Sequence, residues 1–477
     1  MTNSAVNTKL REYFDEMIVY KDIKKLNVFK TLSMPSFLRD WLLKKFSDGY
    51  GNYDLSEIER FVHKNIPKKD SWSEIKGRLV DGERVRMLAK ISVHIDIQTG
   101  EKAFELPDYQ LNSRETMIDN GVWEKSRAAL TKANEVWGQI ELGYKQPESK
   151  KDGRVVLYQF RDFCPYTLDI DYYKDVRQHF SLEEWVDVLL GAIDYNPDGY
   201  ENMHQKLAML KRLLPFIEKR LNLIELAPKG TGKSTLFGNI SKYGWLASGG
   251  TMSRAKLIYD MGHRREGLIA FHDFVALDEI QTIEFTDPKE IQGALKGYLE
   301  NGKARVGNHE FVADAGMILL GNIPQESMNL SKPIFRFLPS AFSESALLER
   351  FHGFICGWDI PRMHDDLMAT GWGLNSEYFS SVMHILRDDV SYRSIVDELL
   401  IVAEKADTRH NEAIKRMSAA WMKLLFPHVR SASDISIEDF KKYCFEPAYN
   451  MRHIIWDQLA MIDDEYKNKY LPEYEFA

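Results

Sequence analysis

Across residues 1–70 the apolar positions recur at mixed spacings of three and four, as in VNTKLREYFDEMIVYKDIKKLNVFKTL, and this predicts helix. Beyond residue 80 the period becomes two. ISVHIDIQTGEKAFEL alternates Ile91, Val93, Ile95 and Ile97 with Ser92, His94 and Asp96, turns at Thr99-Gly100, and resumes at Phe104 and Leu106. That is the pattern of a β-hairpin. A second hairpin follows in WGQIELGYKQPESKKDGRVVLYQF, where Ile140, Leu142 and Tyr144 alternate before a polar loop and a further strand. The two hairpins predict a small β domain over 71–175. SLEEWVDVLLGAIDY and QKLAMLKRLLPFI then predict helices, placing a helical connector over 176–220. Residues 221–365 carry apolar runs that end in charged and polar residues, and 366–477 return to a mostly helical pattern.

At 477 residues the chain exceeds one hydrophobic core and predicts two to four domains. A net charge of −8 gives no global attraction to nucleic acid, so any such contact has to come from a local basic surface. No apolar stretch reaches the roughly 18 residues needed to cross a bilayer. The opening MTNSAVNTKLREYFDEM places acids where a signal peptide is apolar, which predicts a cytoplasmic protein. Cys164, Cys356 and Cys444 lie far apart, in no metal-like spacing.

The chemistry concentrates in LIELAPKGTGKSTLFGNI, residues 223–240: an apolar run, a glycine-rich loop and an apolar helical pattern. In such a loop backbone N–H groups close around phosphate oxygens, and the following helix adds its positive end. Pro228, Lys229, Gly230, Thr231, Gly232, Lys233, Ser234 and Thr235 form the predicted nucleotide cradle. Lys233 would reach the β and γ phosphates, and Ser234 would ligate Mg²⁺. Where the pattern G-x-x-x-x-G-K-[ST] has its first glycine the chain has Ala227, at the loop's entrance, where a methyl group fits if φ stays negative. Downstream, AFHDFVALDEIQTI ends a strand in Asp278-Glu279. Asp278 would hold the metal and Glu279 would polarise the attacking water. AGMILLGNIP ends another strand at Asn322, a candidate for positioning that water. Arg350, in LLERF, would stabilise charge on the transferred phosphoryl group if supplied by a neighbouring subunit. Arg409 and Arg416 share one face of a predicted helix. Two readings stand for them, a γ-phosphate sensor on a lid or a solvated basic stripe.

In this order the parts over 220–425 resemble an AAA+ ATPase of the clade containing the minichromosome maintenance helicases. ALKGYLENGKARVGNHEFVADAGMILLGNIP is similar to that family's hairpin before sensor 1 and sensor 1 itself. LLERF is similar to its arginine-finger motif, which implies Arg350, and RHNEAIKR to its sensor 2 spacing, which implies Arg409. As a whole the chain is similar to the BrxL family, the Lon-like AAA+ components of BREX phage-defence systems. The resemblance implies an α/β AAA+ P-loop ATPase core (221–365), preceded by a helical segment (1–70) and an OB-like β domain (71–175), and followed by a helical lid and tail (366–477). It also implies ATP and Mg²⁺, assembly into a hexamer or double hexamer, duplex DNA bound without sequence preference, and other BREX proteins as partners. Many members of the family carry a C-terminal Lon-type protease domain. About 50 residues follow Pro427, without a nucleophile motif, so the expectation is a ring without peptide hydrolysis.

The segment GYLENGKARVGNHEFVADAG predicts strands at Lys303–Val306 and Glu310–Val312 about a Gly307-Asn308 turn. In the resembled helicases this hairpin touches the DNA backbone, which implies Lys303, Arg305 and His309 here. YDMGHRREG, with His263, Arg264 and Arg265, lies where those helicases carry a second channel element. The alternative is a ring that grips polypeptide. The tip Gly307-Asn308-His309 lacks the aromatic residue such rings present, although Phe311 lies close by.

Overall fold

The period-two stretch beyond residue 80 forms the first of five strands, β1 (Val85–Ile95), followed by β2 (Lys102–Glu105), β3 (Thr116–Ile118), β4 (Val136–Lys145) and β5 (Arg154–Asp162). The structure, a computed structural model, describes all residues except 1, 26–28, 30–33, 68–70, 132–134, 147–152, 163–167, 263, 403–406 and 468–470. The expected contact at His263 therefore lies outside the described residues.

The strand order is β2-β1-β4-β5-β3. Neighbours run antiparallel except β5 and β3, which are parallel. The two ends of the sheet meet at Thr116, whose hydroxyl accepts from the Phe104 N–H at 2.9 Å and donates to the Phe104 carbonyl. A register shift between Glu141 and Leu142 supplies part of the bend. The sheet thus curls into a half-barrel around Met87, Ile91, Phe104, Ile140, Leu142 and Leu157, all buried. The helix Asn120–Leu130 joins β3 to β4, its first turn capped by the Asp119 carboxylate. This half-barrel belongs to a compact unit of residues 38–167.

The other unit combines residues 1–37 with 168–477, which corrects the expected helical domain over 1–70. Ile18–Asp22 is a strand paired antiparallel with Thr370–Leu374. The helix Thr2–Tyr13 is held to the helix Leu182–Ala192 by Lys9 and Glu184 at 2.6 Å. A five-residue strand gives too few positions to reveal a period inside a segment of mixed spacing.

The apolar runs after residue 220 form β6 (Leu223–Ala227), β7 (Gly244–Ser248), β8 (Phe274–Asp278), β9 (Gly316–Asn322) and β10 (Gly353–Cys356). Their order is β10-β6-β9-β8-β7, and every pair is parallel. A parallel sheet is covered on both faces, which explains why β8 and β9 read as apolar runs up to their polar ends and β6 as one interrupted only by Glu225. All the C-terminal strand ends share one edge, where open α/β sheets hold their ligands. Helices Ser376–Leu386, Thr408–Leu425 and Glu446–Ile462 complete the unit. Among the described residues no helix is long and apolar enough to cross a membrane.

Candidate active site

β9 lies between β6 and β8, so the three predicted strand ends stand side by side. The loop leaving β6 turns through Gly230 at φ 82° and Gly232 at φ 77°, left-handed values that favour glycine. A Cβ on Gly232 would collide with the Tyr195 hydroxyl, which burial pushes up to about 12 in pKa. Ala227 keeps a negative φ, as its methyl group requires, and that methyl sits where Gly357 has no side chain.

Lys233 is buried, and its Nζ donates to the Asn322 amide oxygen at 2.9 Å and the Pro228 carbonyl at 3.3 Å. Burial lowers its pKa, with Glu225 pulling the other way. The Ser234 hydroxyl donates to Asp278 Oδ2, and the Glu279 N–H donates to Asp278 Oδ1 at 2.9 Å. Glu279 takes φ 50° and stands exposed above the strand end. The structure brings Lys233, Ser234, Asp278, Glu279 and Asn322 into one cluster. Ser234 and Asp278 offer hard oxygens of the kind Mg²⁺ takes beside nucleotide phosphates, so the donor set fits that ion.

Arg212 is a residue that sequence reasoning missed. Its buried guanidinium spans Glu225 at 2.9 and 2.5 Å and donates to Thr231, at 2.7 Å to the carbonyl and 3.1 Å to the hydroxyl. Burial would lower the arginine's pKa, but the Glu225 carboxylate overrides that and the net direction is up. The phosphate loop is thereby clamped from beneath. The signal was legible: Glu225 interrupts the apolar run LIELAP, and Arg212 the run MLKRLLPF, and two charges inside buried segments require each other. Arg212→Met leaves a buried carboxylate without its partner, and we expect about 3–5 kcal/mol of lost stability. Adding Glu225→Leu should recover most of it, and a melting curve of each variant checks both expectations.

Arg350 and Arg409 lie elsewhere. Arg350 precedes β10, whose first residue, Gly353, is level with Leu223 at the start of β6. The phosphate loop leaves the far end of β6, about 13 Å away at ~3.3 Å per residue. Arg409 pairs with Glu300 at 2.9 Å and Glu349 at 2.7 Å, beside Arg350, which pairs with Glu300 at 2.7 Å. Arg416 instead ties Glu412 at 2.7 Å to the Lys219 carbonyl at 3.0 Å. The sequence-based set therefore divides into two groups at opposite edges of one sheet.

The hairpins also resolve. Lys303–Val306 and His309–Val312 pair as expected, and Tyr259-Asp260 pairs with Arg265-Glu266. The two hairpins touch, because His309 stacks on Tyr259 with ring centroids 4.1 Å apart and lies 3.5 Å from Glu266. His309 thus serves packing between hairpins, while Lys303, Arg305, Arg264 and Arg265 are exposed.

Residues 155–471 match the family model described as "Lon-like protease BrxL-like, ATPase domain". Residues 12–144 match "BREX system Lon protease-like protein BrxL N-terminal". The chain belongs to the BrxL family. Among its relatives is the Lon-like protease BrxL of Escherichia coli O9:H4 (strain HS), 26% identical over 460 residues, covering 95% of this chain and 64% of that protein. The Lon-like protease BrxL of Bacillus cereus (strain H3081.97) is 27% identical over 436 residues, covering 89% of this chain and 63% of that protein. The chain thus spans under two thirds of the length of these relatives. The ATPase domain of the BrxL match contains the whole Lys233–Asn322 cluster and both arginines.

Proposed function

We propose that this BrxL-family chain is an AAA+-type ATPase that assembles as a hexamer or double hexamer, each site being completed by a neighbouring copy. The ring uses ATP hydrolysis to translocate on or remodel duplex DNA in BREX phage defence. The observation that carries this reading is the separation of the two residue groups. Arg350 and Arg409 stand at the edge of the sheet opposite their own phosphate loop, so a phosphate within their reach belongs to another copy. In the assembled site Lys233 and the loop N–H groups hold the phosphates, Glu279 takes a proton from the attacking water, and Asn322 orients that water. Ser234 and Asp278 would hold Mg²⁺, which neutralises charge on the phosphate oxygens when bound. The two arginines stabilise the charge that develops on the transferred group. Peptide hydrolysis has no part in the proposal.

The half-barrel supports the same reading. Closing its strand order through Thr116 gives β1-β2-β3-β5-β4, returning to β1, with a helix between β3 and β4. We read this as an OB-type barrel, a fold used for binding oligonucleotides.

Lys303, Arg305, Arg264 and Arg265 supply the local positive charge that a chain of net charge −8 needs in order to meet DNA. Lys303→Ala with Arg305→Ala should weaken duplex binding at every sequence and reduce the slope of log K against log salt by about 2. Fluorescence anisotropy over a salt series measures this, and an unchanged slope would remove the hairpin from the DNA path. A second reading, a ring gripping polypeptide, is favoured by two apolar residues on the same hairpins, Met261 at 54% and Val312 at 63% exposure. Phe311 does not add to it, being half-buried against His309 with centroids 5.6 Å apart. Replacing Met261 and Val312 by Ser should leave DNA affinity intact under the first reading.

A further inference from the structure

We propose that Glu300 is a positioning residue, a single carboxylate that holds Arg350 and Arg409 together as one unit aimed at a neighbouring copy's nucleotide. The inference rests on the trans site proposed above and adds a residue that neither motif nor resemblance marked.

Glu300 stands in the last turn of the helix Pro288–Asn301, three residues before Lys303, where the hairpin begins. Its oxygens are divided between the arginines. Oε2 lies 2.7 Å from Arg350 Nε and Oε1 lies 2.9 Å from Arg409 Nε. The arginines come from different elements, a turn before β10 and the helix Thr408–Leu425. Two guanidinium ions brought side by side repel, and a carboxylate between them reverses the sign of that interaction. Its hydrogen bond is also the leading cause of the raised pKa of Arg409.

The way each arginine is held matters as much as the charge. Arg409 donates a hydrogen bond to Glu300 through Nε, whereas Arg350 Nε is held to Glu300 by charge, as an ion pair without hydrogen-bond geometry. Arg409 Nη1 donates to Glu349 Oε2 at 2.7 Å, and Arg350 Nη1 donates to the Ala346 carbonyl. Among the described residues no hydrogen bond takes Nη2 of either arginine. Each guanidinium is thus anchored along its inner edge and open at its tip, the geometry for donating to phosphate oxygens. Glu300, Glu349, Arg350 and Arg409 together line a cleft of about 310 Å³. Behind them Arg452, fully buried, donates to the Glu349 and Phe351 carbonyls at 2.9 and 2.6 Å, so the backbone carrying Arg350 cannot drift. What remains adjustable is the side chains, and Glu300 is the group that sets both.

The test is Glu300→Gln in the assembled full-length protein. Glutamine keeps the size and can still accept from Arg409, but it loses the charge that holds Arg350 and puts an NH₂ donor in place of one carboxylate oxygen, so it cannot hold both arginines. We expect kcat for ATP to fall tenfold or more, with KM and ATP affinity within twofold. Mixing with Lys233→Ala protomers separates positioning from misfolding. Such protomers lack a working phosphate loop but present intact arginines to the intact loop of a Glu300→Gln neighbour, so hydrolysis should recover. If Arg350→Ala is slow while Glu300→Gln turns over at the parent rate, the positioning role is overturned and the trans site survives. A Glu300→Gln defect that mixing does not relieve overturns it as well, since a structural fault travels with the protomer. Full turnover by Arg350→Ala overturns the trans site and this inference with it. Should Glu300→Gln fail to assemble, Glu300→Asp takes its place, keeping the charge but not the span, with the same expected loss and recovery.

Discussion

Arg350→Ala protein is expected to bind ATP with unchanged affinity and, once assembled, to hydrolyse it about 10³-fold or more slowly than the parent, the scale of an arginine supplied to a phosphoryl-transfer site. Binding is spared because Arg350 lies at the edge of the sheet away from the Lys233 loop, level with the start of β6 rather than its end. Hydrolysis is expected to fall because, under the proposed trans site, charge on the transferred phosphoryl group is met by an arginine from a neighbouring copy. The decisive form of the measurement is a titration of Arg350→Ala against Lys233→Ala protomers, each expected to be inactive alone. Mixed rings contain interfaces that pair an intact loop with an intact arginine, so activity should appear on mixing and peak near equal amounts. Activity that never exceeds the sum of the two parents would show that each chain completes its own site.

The residues proposed to bind phosphate were legible because their chemistry is local. A glycine-rich turn between an apolar strand and a helix fixes its own geometry, and Gly230 and Gly232 take the left-handed angles that such a turn requires. Asp278-Glu279 and Asn322 were legible for a related reason. Strands buried on both faces read as unbroken apolar runs, and a polar residue ending such a run lies at the ligand edge. What was hidden depends on partners distant in the chain. Arg409 pairs with Glu300 across 109 residues, and nothing in RHNEAIKR specifies which carboxylate it meets. The strand at Ile18–Asp22 finds its partner at Thr370–Leu374, so a segment of helical spacing became part of the ATPase unit. The half-barrel stood between these cases. Its hairpins were plain from alternation, but its closure depends on one threonine, Thr116, bonding the backbone of Phe104.

Glu279→Gln is the second large effect we expect. Its ATP affinity should equal the parent's while hydrolysis falls by about 10²–10⁴, the usual worth of a positioned general base. The backbone makes the assignment specific. Glu279 is one of six non-glycine residues among those described with positive φ, at 50°. Such a conformation costs of order 1–3 kcal/mol and persists only where the surroundings impose it. Here they do: its N–H is held by Asp278 Oδ1 at 2.9 Å, and its carbonyl accepts from the Thr282 N–H at 2.7 Å and hydroxyl at 2.9 Å. At this turn the Glu279 side chain stands exposed, while the adjoining Asp278 is buried. Two variants separate the chemistry from the conformation. Glutamine keeps the strain and removes the base, so single-turnover hydrolysis should collapse while nucleotide stays bound. Glycine accepts a φ of 50° without strain, so Glu279→Gly should melt no lower than the parent and still fail to hydrolyse ATP. If Glu279→Gln retains more than a tenth of the parent rate, the base lies elsewhere, and Asp278 or a water held by Asn322 becomes the group to change next.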